Sequence, residues 1–142
     1  MELTAFRQAV LTATRDELLT TNALSERYGL SLTGAEALRV AQARFKALDD
    51  TGRVEFGGGV LPLLVYAFCD SPYIQPEEYA DTLIALQADF YALKGDCEDA
   101  LTDEELIDMM KAAFDGPAQG SLLYMEDLTV GALYRAAKGE DE

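Results

Sequence analysis

Arg53 and Glu55 stand shortly before a wholly apolar run, Leu61 to Cys69, and Asp70 and Tyr73 stand just after it. A carboxylate at each end of one buried segment could serve as acid and base, or offer the oxygen ligands that hard cations prefer, if the fold brings the two together. Three successive glycines, Gly57, Gly58 and Gly59, lie between Glu55 and that run. Backbone N–H groups free of side chains can form a nest for an anion, with Arg53 at hand to pair it. The same glycines suit a tight crossing of backbones under a buried helix, and neither GxxxxGK nor GxGxxG accompanies them. Arg53, Glu55, Gly57, Gly58, Gly59, Asp70 and Tyr73 are therefore the candidate ligand-binding set, for a small molecule or a divalent metal. No residue qualifies as catalytic or as an assigned metal ligand, and no cofactor is called for.

Elsewhere the chain offers less. It has no histidine and no tryptophan, so any catalysis would have to use carboxylates, Cys, Tyr, Lys or Arg. Cys69 and Cys97 lie 28 positions apart without CxxC spacing, which argues against a structural zinc site. The acid beside Cys69 raises a thiol's pKa, so Cys69 reads as a small buried hydrophobe and Asp70, Ser71 and Pro72 as turn formers. Cys97 sits in an acidic connector and is a poor nucleophile for the same reason. That connector holds Asp96, Glu98, Asp103, Glu104 and Glu105 but fails as an EF-hand. A loop starting at Asp96 would place Leu101 where the turn glycine is needed and Ile107 where the bidentate Glu is needed. Residues 23–41 have the outline of a helix-turn-helix, but few bases on so acidic a chain make nucleic acid an unsuitable partner.

Helices must position these residues. Leu3, Phe6, Val10 and Ala13 predict an amphipathic helix over 3–13 with that face toward the core. Asp16 to Thr21 shows no clear period. Asn22 is expected to cap a short helix that stops at Gly29. Thr33 and Glu36 form a capping box, with Leu32 as its staple, for a helix reaching about Thr51. Leu38, Ala41, Phe45 and Leu48 are its expected stripe, with Arg39, Arg44 and Lys46 facing solvent. Arg53 to Phe56 is too short and isolated to build a sheet and reads as a connector. Val60 to Cys69 fits a helix over about 60–69, because Pro62 suits a first helical turn, and its lack of a polar face puts it at the centre of a bundle. Pro76 opens the next helix, where Tyr79, Leu83, Leu86, Phe90 and Leu93 recur as far as Lys94-Gly95. Thr102 and Glu105 form a second capping box for a helix that Gly116-Pro117 stops. One or two short helices, around 121–126 and 129–138, precede an acidic end over 139–142 expected to fray.

At 142 residues, 49% of them hydrophobic, the chain suits one domain over 1–142 that buries roughly two thirds of its unfolded surface. The net charge of −15 is uneven: residues 1–71 carry 9 acids and 7 bases, residues 72–142 carry 17 acids and 4 bases. Such a field repels phosphate backbones and anionic membranes and attracts basic proteins. Met1-Glu2-Leu3 opens no basic, apolar leader, and the longest apolar run is half of what a bilayer span needs, so a cytoplasmic protein with reduced thiols is expected.

The blocks Gly52-Arg53-Val54-Glu55-Phe56-Gly57-Gly58-Gly59 and Tyr66-Ala67-Phe68-Cys69-Asp70-Ser71-Pro72-Tyr73-Ile74 resemble the hallmark of a family of small bacterial proteins known only as a domain of unknown function. Tyr79 to Leu83 and Gly120-Ser121-Leu122 continue the resemblance over most of the chain. It implies a bacterial cytoplasmic protein of one domain and brings no activity. The expected fold is an all-α bundle of five to seven helices around the buried helix at about 60–69. The expected function is noncatalytic interaction or regulation through an acidic surface and a partner with a basic one; the alternative is the ligand or metal site set out above.

Overall fold

The computed structural model describes residues 2–55 and 59–140. The fold is all-α, with no strand among the described residues. The chain runs through α1 (Glu2–Thr20), the single turn α2 (Asn22–Ser25) with a 3₁₀ turn behind it, α3 (Gly34–Thr51) and α4 (Leu61–Phe68). A 3₁₀ turn at Pro76–Glu78 leads into α5 (Tyr79–Asp96), followed by α6 (Asp103–Asp115) and α7 (Leu122–Glu140).

Local chemistry sets most of these boundaries. Thr33 and Thr102 each accept from the backbone N–H three residues on, while Glu36 and Glu105 reach back to the threonine N–H, closing both capping boxes. Gly52 ends α3 in a left-handed conformation at φ 67°, where a side chain would be strained. Asn22 does not cap α2. Its side-chain amide instead accepts from Leu32 N and donates to Leu32 O, at 2.8 and 2.9 Å, and so clamps the turn before α3. The C-terminal segment forms one helix rather than two, because α7 continues through Asp127 and Leu128, between the two expected segments, and on to Glu140.

α4 is buried along Leu61, Leu64, Val65 and Phe68 and packs against α2, α5 and α6, while Tyr66 reaches solvent. α5 shares the centre, touching α3, α4, α6 and α7, and its stripe of Tyr79, Leu83, Leu86, Phe90 and Leu93 is fully enclosed. Two faces differ from the sequence reading. On α1 the buried residues are Leu11, Thr14 and Leu18, whereas Phe6 is 65% exposed. On α3 the stripe is Ala37, Val40, Ala41 and Arg44, so Arg44 points into the protein and not into solvent. A phase error of one position causes both: several apolar periods fit each segment, and only the neighbouring helix selects one. No helix among the described residues is long and apolar enough to cross a membrane.

Candidate functional site

Arg44 is 4% exposed and anchors the polar cluster nearest the predicted residues. Its Nε donates to Glu55 Oε1 at 3.0 Å and its Nη1 to Thr14 Oγ1 at 3.0 Å, tying α3 to the connector and to α1. Taking a guanidinium out of water is costly unless a counter-charge and hydrogen bonds meet it, and Glu55 and Thr14 supply both. Gly59 closes over the pair at φ 59°; a Cβ there would overlap the Glu55 carboxylate and meet Arg44 Nη2 at 3.0 Å. Tyr91 of α5 is buried beside them, and burial, then the Glu55 carboxylate, push its phenol up.

Above this pair lies an open cleft of about 460 Å³ between α1, α3 and the connector. Phe6, Val10, Phe45 and Leu48 form its apolar wall, and Arg44 and Glu55 its polar floor. The face of α1 expected to enter the core thus lines a cleft. Arg53 borders the same cleft but is held by Asp99, to which it donates two hydrogen bonds at 2.7 and 3.2 Å. That bond raises the Arg53 pKa and lowers that of Asp99.

Asp70 and Tyr73 occupy a different place. Lys111 of α6 reaches across the end of α4, donating to Ala67 O at 2.6 Å and Asp70 Oδ1 at 2.5 Å, and pairs with Asp115 at 3.2 Å. A cation at a helix C-terminus satisfies carbonyls left without intrahelical donors. Burial lowers the Lys111 pKa, but its bonds to Asp70 and Asp115 outweigh that and raise it overall. Ser71 Oγ donates to Asp115 at 2.6 Å, and the Tyr73 ring stands edge-on to Phe114 with centroids 6.5 Å apart. Glu55 and Asp70 therefore have separate cationic partners. Cys69 is buried, and burial, then the charge of Asp70, raise its pKa. Gly57 and Gly58 lie outside the described residues.

Arg44 was the residue that sequence reasoning missed. The signal was present in its phase, since position 44 continues the row of Ala37, Val40 and Ala41. A half-buried polar contact joins α5 to α7, where Asp89 sits against Glu126; partial burial, then the Glu126 charge, push Asp89 up to about 7. Among the described residues no three His, Cys, Asp or Glu side chains gather as a metal would require.

Residues 17–142 match a family of unknown function (DUF6323). The chain belongs to that family. The DUF6323 match contains Arg44, Glu55, Gly59 and all of α3 to α7, whereas Phe6, Val10 and Thr14 precede it. No curated protein and no solved structure matches the chain.

Proposed function

We propose that this chain is a noncatalytic interaction or regulatory protein of the bacterial cytoplasm, whose acidic second half meets a partner with a basic surface. One observation carries the reading. Asp96, Glu98, Glu104 and Asp108, around the connection between α5 and α6, are exposed and make no ion pair among the described residues. The neighbouring cations are engaged elsewhere: Lys94 with Asp103, Arg53 with Asp99, Lys111 with Asp70 and Asp115. Carboxylates left without cations project a field that steers a basic surface into contact and repels phosphate. Free thiols at Cys69 and Cys97 suit a reducing compartment.

The test is capture from native lysate with the tagged chain, washed at low and at high salt, beside a variant carrying Asp96→Asn, Glu98→Gln, Glu104→Gln and Asp108→Asn. Glu105 is left intact because its carboxylate closes a capping box. A stoichiometric basic partner, released by salt and absent from the variant, is the expected result. A partner held equally by both proteins at both salt concentrations overturns the reading.

The cleft over Arg44 and Glu55 favours a second reading, a site for a small molecule with an apolar body and a polar head, bordered by Arg53. A metabolite that raises the melting temperature of the wild-type chain but not of Phe45→Ala would support it. Equal shifts in both proteins would count against it.

A further inference from the structure

The connection between α5 and α6 runs beside the last turns of α7 and leaves a groove of about 670 Å³ between them. Its floor is apolar, made by Leu101 and Met109 on one side and Leu133 and Tyr134 on the other. Tyr134 is 73% exposed, and Val130, one turn before it on the same helix face, is exposed as well. One exposed aromatic residue is ordinary, but apolar side chains that line one groove from two parts of the chain suit an interaction surface. Asp96 and Glu98 form its rim, and both belong to the carboxylates without an ion pair among the described residues. Arg135, next to Tyr134 in sequence, lies outside the lining.

The charge selects the occupant. A second copy of the chain would bring two rims of the same sign together on molecules that each carry −15, and an anionic lipid surface is repelled for the same reason. A helix with an apolar face flanked by Lys and Arg satisfies the floor and the rim at once. Resting on the acidic-surface reading above, we infer that this groove docks one basic amphipathic helix of a partner protein. Its apolar side chains, spaced i, i+3, i+4 and i+7, lie on Leu101, Met109, Leu133 and Tyr134, and its cations lie against Asp96 and Glu98. The whole groove falls within the span that matches DUF6323.

The full-length ¹⁵N-labelled chain is titrated with three peptides of about five helical turns. The first is an amphipathic Leu/Lys sequence, the second has the same composition reordered to leave no apolar face, and the third is an amphipathic Leu/Glu sequence. The first is expected to shift amides in 96–101, at Met109 and in 130–136, and to bind about tenfold or more tightly than the other two. Tyr134→Ser and Val130→Ser, both at exposed positions, should each weaken it severalfold while leaving the melting temperature unchanged. Equal binding of both Lys peptides, insensitive to Tyr134→Ser, would overturn the groove and leave the acidic-surface reading standing. No binding of either Lys peptide at low salt would overturn both. A dimer seen in sedimentation and dissolved by Tyr134→Ser would assign the face to a second copy and also overturn the inference.

Discussion

The buried Arg44–Glu55 pair makes the chain sensitive to single substitutions there. Glu55→Gln removes the counter-charge but not the burial of the guanidinium, and the expected loss is about 3 kcal/mol in urea unfolding. Arg44→Met with Glu55→Leu removes both charges and should recover most of that loss; a double variant as unstable as the single one would show that shape, not charge, sets the cost. Asp89 gives the opposite kind of sensitivity. Its folded pKa of about 7 lies above the ordinary carboxyl range, so the folded chain keeps a proton that the unfolded chain has already released. This contribution is complete below about pH 4 and is lost as pH rises through 7. Wild type should therefore lose more stability than Asp89→Asn between pH 5.5 and 8, and parallel profiles would contradict the raised pKa of Asp89. Glu55 and Gly59 stood out in the sequence because an acid and a glycine run interrupt an apolar neighbourhood. Arg44 did not, because a lone arginine on an amphipathic helix is ordinarily read as surface and its burial depends on α1 and α5 packing over it.

At the scale of the helices, most of what depends on a few neighbouring residues was legible, the cap expected at Asn22 excepted, since its side chain binds Leu32 ten residues on. Both capping boxes, the glycine that ends α3 and the proline-led start before α5 follow from side chains within one turn of the boundary. The phases of α1 and α3 were not, since each segment offers two apolar rows and only the packing of one helix on the other decides between them. Gly131 shows how little one residue decides: inside the helix expected over 129–138 and inside α7 alike, it costs a helix only about 1 kcal/mol relative to alanine, which packing along α7 readily absorbs. Gly131→Ala should raise stability by about 0.5–1 kcal/mol. A Cβ there meets Arg135 Nη1 at 3.3 Å, the far end of a flexible side chain that can move aside. A lower melting temperature in this variant would mean that α7 needs close backbone approach at that point.

For the whole molecule, composition and period were enough for an all-α chain, but not for which residues of distant helices meet. Asp70 and Tyr73 are grouped with Glu55 in the sequence because one short helix separates them, on the condition that the fold unites them; in the fold Lys111 of α6 claims the first carboxylate and Arg44 of α3 the other. Charge is the global property that survives this uncertainty, because a net −15 acts over a Debye length irrespective of topology. Folding brings these carboxylates closer together than they are in the open chain, so their repulsion opposes the compact state and salt should relieve it. Exposed pairs such as Arg39–Asp81 and Lys46–Asp50 pull the other way, since screening weakens them, but such pairs contribute little individually and there are many more acids than cations. The melting temperature is therefore expected to rise by several degrees as sodium chloride goes from about 0.02 to about 0.5 M, over which the Debye length shrinks several-fold. A falling melting temperature would mean that the ion pairs dominate. The same ions that stabilise the fold should release a basic partner from Asp96 and Glu98, so stability and binding must respond to salt with opposite sign if one set of carboxylates governs both.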